Sequence, residues 1–151
     1  MKLWKRTVAL MLITLLCSLI PVGVLSLYVT GKRSLNNAAE TYGRQLANGK
    51  NLLEQFWDNS KYKQMSETGK KSYLEFQFLR CCGEKMLLIN SESKEAVVNR
   101  TDYEIVSMDN LGLNNKTDSY EYKIQKLNHK YLLLQHALLT NPEGYEILSV
   151  R

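Results

Sequence analysis

An α+β fold is predicted for this 151-residue chain, with a helical N-terminal part followed by an antiparallel sheet, and three patterns predict it. Residues 7–30 contain no Lys, Arg, Asp, Glu or His. Residues 35–56 repeat apolar or small side chains at alternating steps of four and three. From Tyr73 onward the repeat shortens to two, broken at intervals by turn residues.

As an α-helix, the uncharged run is about 36 Å long, enough to cross a hydrocarbon core of about 30 Å. It predicts a transmembrane helix over 7–30, with residues 1–6 as a short cytoplasmic N-terminus. A cleaved secretory signal is the competing reading, since Lys2, Lys5 and Arg6 give a basic start and Gly23, Ser26 and Thr30 are small. The apolar core of such a signal is about 7–15 residues, which favours the uncleaved helix. Cys17 lies in mid-span, where it serves as a small apolar filler. Lys2, Lys5, Arg6 and the α-amino group outweigh Lys32 and Arg33, so the positive-inside rule sends the chain after about residue 30 to the extracytoplasmic side.

The repeat beyond the span runs through Leu35, Ala39, Tyr42, Leu46, Gly49, Leu53 and Phe56. This is a heptad seam, and it predicts a stalk helix over 31–66 that packs along one narrow stripe, against a sister subunit or against its own domain. A homodimer through the stalk is therefore one expectation. Gly43 and Gly49 each weaken the helix by about 1 kcal/mol relative to Ala, so packing must hold it.

An antiparallel sheet is expected over 72–151, of about five strands. Leu74, Phe76 and Phe78 alternate with Glu75 and Gln77 as a first strand, and Met86–Ile89 and Ala96–Val98 form a hairpin around the polar turn from Asn90 to Lys94. Residues 101–118 read as a short helix or a covering loop. Tyr120, Tyr122 and Ile124 then begin a meander, which turns at Asn128 and His129, continues through Tyr131–Leu134 and resumes at Tyr145 after the break at 140–144. Tyr131–Leu134 is apolar on both faces, as in a strand from the middle of a sheet covered on both sides.

Composition excludes several functions. The net charge of +5 reduces to seventeen bases against fifteen acids once residues 1–30 are set aside. Those charges alternate in sign, a solvated-surface pattern, so nucleic acid is not an expected partner. Three cysteines make no disulfide framework, and on a strand Cys81 and Cys82 would point to opposite faces, one buried and one outside. Asn99 and Asn115 begin Asn-x-Thr glycosylation sequons. Carboxylates lack paired spacing, and no Ser-His-Asp order, zinc motif or phosphate loop can be assembled, so no catalytic residue, metal or cofactor is expected. The ligand-site candidates are Tyr122, Tyr131 and His136. Tyrosines in the meander can line a pocket or fill the core. His136 shares the parity of Leu132, Leu134 and Leu138 and reads as a core-edge histidine with a hydrogen-bond partner, whereas His129 reads as a turn residue.

A membrane helix running into a stalk, then the hairpin Leu87-Leu88-Ile89-Asn90-Ser91 with Ala96-Val97-Val98-Asn99-Arg100-Thr101, then Lys130-Tyr131-Leu132-Leu133 with Gly144-Tyr145-Glu146-Ile147-Leu148, resembles the extracytoplasmic sensor region of bacterial two-component histidine kinases. The resemblance implies a PAS-like or Cache-like fold, a small-molecule or protein stimulus, and an N-terminal fragment truncated before a second membrane helix. It carries no catalysis onto this chain, since neither His129 nor His136 is followed by the acidic residue of a phosphoacceptor motif. The alternative is a single-span surface or pilin-like structural or binding protein. That reading is weakened by the lack of a short leader ending before Phe or Met with a Glu just beyond.

Overall fold

The computed structural model describes residues 2–58, 62–106, 108–111 and 119–151. Its elements are α1 (Lys2–Trp57), a 3-10 turn (Tyr62–Gln64), α2 (Glu67–Cys81), β1 (Met86–Asn90), β2 (Ala96–Asn99), a second 3-10 turn (Met108–Leu111), β3 (Ser119–Leu127), β4 (Lys130–Leu138) and β5 (Tyr145–Val150). The chain divides into two compact units, the first ending at Ala38 and the second comprising Ala39–Arg151, and α1 contributes residues to both.

The first unit is helical, and every residue from 3 to 34 is exposed, including Leu12, Ile20 and Leu27. The helix is long and apolar enough to cross a membrane, consistent with a single-pass protein. Its polar side chains suit that solvent. The hydroxyls of Thr7, Thr14 and Ser18 donate to carbonyls of the preceding turn, at Leu3, Leu10, Met11 and Leu15, which satisfies these three within the helix itself. Pro21 lies inside the helix and takes one backbone donor out of its ladder.

The second unit is a five-stranded antiparallel sheet in the order β2-β1-β5-β4-β3. One face carries Met86, Leu88, Ala137 and Ile147, packed with Leu46, Leu53 and Trp57 of α1 and Leu74 and Phe78 of α2. The opposite face carries Leu87, Ile89, Leu132, Leu134, Leu148 and Val150, covered by Ile105 and Leu111 from the segment after β2. Both faces are thus buried, which accounts for the unbroken apolar run in β4, a strand flanked on both sides. The turn at Asn128 and His129 has positive φ at both residues, 47° and 65°, the twist that a two-residue hairpin requires.

Three expectations are corrected. The helix ends at Trp57, not near residue 66, so the stalk is shorter than its polar continuation implies. Residues 73–80 lie in α2, and the sheet begins at Met86 rather than at 72. Here local signals for a helix prevail: Ser66 caps the N-terminus by accepting from Gly69 N, Glu67 sits in the first turn, and Leu74, Gln77 and Phe78 form a buried helical stripe. Phe76, which completes the apparent alternation, is 59% exposed. Cys81 and Cys82 accordingly stand at a helix end, not on a strand. One is half-buried and the other buried all the same, with Cys82 N donating to Phe78 O. Arg100 closes that end by donating from Nη1 to Leu79 O at 3.0 Å and Cys82 O at 2.7 Å.

The heptad seam divides as well. Ala39, Leu46, Gly49 and Leu53 are buried, but the line continues through Lys50 and Trp57, with Phe56 half-buried at its side. From Ala39 on, this stripe packs on the chain's own sheet and α2.

Candidate functional site

Polar and cation–π contacts tie α1 to the sheet and its β4–β5 connection within the second unit. Gln135 Nε2 on β4 donates to Ala39 O at 2.9 Å, and Gly43 allows this approach, since a Cβ there would stand 3.2 Å from that nitrogen. Arg151, just past β5, donates to Gln45 Oε1 at 2.9 Å and lays its guanidinium 4.7 Å from the Tyr42 ring centroid. At the other end, Thr140 N and Oγ1 both donate to Glu54 Oε1, at 2.8 and 2.7 Å. From Ala39 to Glu54 these ties span about 22 Å of helix.

The sequence-derived candidates do not converge. Tyr131 is 73% exposed, with Lys126 Nζ 5.8 Å from its ring centroid. Tyr122 is half-buried in the irregular stretch between Ser119 and Lys123 of β3. His136 is buried on the face opposite the helices and is five residues from Tyr131 on the same strand, so the two project to opposite faces. Tyr145 packs instead against the helix-side core, so these tyrosines do not line one pocket. His129 is an exposed turn residue, as its sequence context implies.

His136 departs from expectation in one respect: its Nε2 is buried without a hydrogen-bond partner. Glu146, which sequence reading passed over, shares this condition at Oε2. His136 is aligned with Leu148, and Glu146, two residues back on β5, is aligned with Leu138 and Ile89. The two are therefore diagonal neighbours on one sheet face, with Cα atoms about 7–8 Å apart. They are 5% and 7% exposed, set among the leucines, isoleucine and valine of that face. The signal for Glu146 was available, since a charged residue on the inward parity of a central strand is unusual.

Open clefts flank the helices. One of about 270 Å³ lies among Trp57, Tyr62, Lys70, Pro142 and Tyr145, and one of about 490 Å³ among Gln45, Gly49, Cys81, Glu84 and Arg151. Burial pushes the Cys82 thiol up to about 12 and raises that of Cys81, so neither is poised as a thiolate nucleophile. Desolvation likewise raises Tyr62. Among the described residues no three His, Cys, Asp or Glu side chains group to hold a metal ion. The Asn99 amide is engaged, donating to Tyr103 O while its Oδ1 accepts from Thr101; Asn115 lies outside the described residues.

No protein-family model, curated protein or solved structure matches the chain.

Proposed function

We propose that the chain is a membrane-anchored, extracytoplasmic sensory module in which α1 serves both as anchor and as output element. A stimulus that prefers one packing of the sheet on α1 moves the helix, and the segment in the bilayer follows. The observation that carries this reading is the set of ties from Ala39 to Glu54. They engage β4, the end of β5 and the β4–β5 connection, so a displacement of these strands acts on several turns of α1 at once.

The sequence resemblance extends the proposal to the input region of a two-component sensor histidine kinase, with a cytoplasmic N-terminus and binding rather than catalysis as the role of this chain. An antiparallel sheet with helices on one face and an irregular cover on the other suits a PAS-like sensor. Since the stripe from Ala39 to Trp57 lies against the chain's own core, the proposed homodimer uses other faces of α1. The gene's reading frame tests the kinase assignment: a second membrane span and an ATP-binding core beyond codon 151 support it, and a frame that closes there refutes it. An alkaline phosphatase fusion after Arg151 tests sidedness, with activity expected only if the second unit is outside.

A further inference from the structure

We propose that His136 and Glu146 form the polar end of a binding site for a small primary amine with an apolar body, on the sheet face turned away from the helices. Both side chains are more than nine-tenths buried, and neither Nε2 of His136 nor Oε2 of Glu146 has a partner. A buried polar atom left unbonded costs about 1–3 kcal/mol, a cost that Leu at either position would avoid. Two such costs at one place, on a face otherwise made of Leu, Ile and Val, mark a site completed by something from outside.

The chemistry of the pair selects the class. Glu146 supplies a carboxylate oxygen, and Nε2 of His136 is a ring nitrogen that accepts when the proton sits on Nδ1. An ammonium group has hydrogens enough for both acceptors, and diagonal neighbours on one sheet face lie close enough for their side chains to share one small partner. A carboxylate would meet Glu146 with like charge, and an alcohol has only one hydrogen to donate. Beside the pair, Ile89 and Leu148 offer an apolar floor, and Ile105 covers the same cluster.

Access lies on the side of the cover. Residues 101–106 contain no strand or helix and are held to the sheet region by contacts such as Ala96 N to Val106 O and Asn99 Nδ2 to Tyr103 O. Such a segment opens at lower cost than the face packed against α1 and α2. Binding is read without any signalling output, so the inference stands or falls independently of the sensory role.

The test uses the full chain in lipid nanodiscs and three probes with one carbon skeleton: 3-methylbutylamine, 3-methylbutanol and 3-methylbutanoate. Ring NMR of the two histidines reports occupancy, with the exposed His129 as internal control. The amine is expected to shift His136 saturably and leave His129 in place, with the alcohol and the acid bound at least tenfold more weakly. Glu146→Gln keeps the size of the side chain and is expected to weaken the amine about tenfold. Lack of saturable binding by the amine, equal binding of the alcohol or acid, or unchanged affinity in a folded Glu146→Gln protein overturns the proposal. If that variant does not fold, the comparison among the three probes decides.

Discussion

Replacing Gly49 by Ala probes how closely α1 approaches the end of α2. In an exposed helix this change stabilises by about 1 kcal/mol. At Gly49 the new Cβ would stand 3.2 Å from Cys82 Sγ, 3.9 Å from Cys82 Cα and 4.0 Å from Cys81 O. Cys82 is 2% exposed and its carbonyl is held by Arg100, so the sulfur can retreat only if the end of α2 shifts. Overpacking of this kind costs about 1–3 kcal/mol, so Gly49→Ala is expected to lose up to about 2 kcal/mol net. Gly43 is the control. A Cβ there meets only the Gln135 amide, with Nε2 at 3.2 Å, so Gly43→Ala sets a helix-propensity gain of about 1 kcal/mol against the Gln135–Ala39 hydrogen bond of similar worth and is expected to be near neutral. In a Cys82→Ala background the obstacle is gone, and Gly49→Ala should become stabilising. Urea unfolding of the full chain in detergent, followed by the fluorescence of buried Trp57 with Trp4→Phe to clear the background, measures all four corners of the cycle. A stabilising Gly49→Ala in the unaltered background, or additivity of Gly49→Ala with Cys82→Ala, would refute the contact.

Four further outcomes are expected. The raised Cys82 pKa means that folding favours the protonated thiol: this stabilisation is complete below the unfolded value near 9 and declines, by about 1.4 kcal/mol per pH unit, as pH rises from there toward 12. Alkaline denaturation monitored by circular dichroism, compared with Cys82→Ala, measures that slope, and alkylation at neutral pH should spare Cys82 until the protein unfolds. His129→Gly relieves a φ of 65° and should raise the urea midpoint by the equivalent of about 1 kcal/mol. Glu54→Ala removes the acceptor of both Thr140 donors and should cost about 1 kcal/mol in the same titration, with Thr140→Val giving a smaller loss because its N–H remains. The double change His136→Leu with Glu146→Leu should keep or raise the midpoint while abolishing amine binding.

Much of the fold is legible in the sequence because its strongest patterns are long. Thr7 to Thr30 is long and apolar enough for a helix that crosses a membrane, and the β3–β4–β5 meander is marked by turn residues that adopt the positive φ or bends expected of them. The misread stretch, 73–80, is instructive: Leu74, Phe76 and Phe78 satisfy a period of two, and Leu74 with Phe78 satisfies one of four. Ser66 and Glu67 decide between them, through a cap that acts seven residues upstream of the apparent strand. The seam on α1 was readable as a stripe, but its partner was not, because a heptad pattern records burial along a line without saying what lies across it. The site was the least legible part. His136 could be placed on the inward parity from sequence, yet its pairing with Glu146 depends on the β4–β5 register, and a two-residue slip would keep the same faces inward while changing the neighbours.

The strand order has a consequence for biosynthesis. β5, which follows the other four strands in sequence, lies in the middle of the sheet, between β1 and β4, while β2 and β3 occupy the edges. The β1–β2 and β3–β4 hairpins can each form as they leave the ribosome, but they have no direct hydrogen bonds to one another and are joined only when Tyr145–Val150 slots in between them. Throughout that interval the nascent chain exposes two unpaired ladder edges, at β1 and at β4. Quality control by chaperones would therefore act on it most strongly just before β5 is delivered, and removal of Tyr145–Val150 would dismantle the sheet at its middle rather than trim its border.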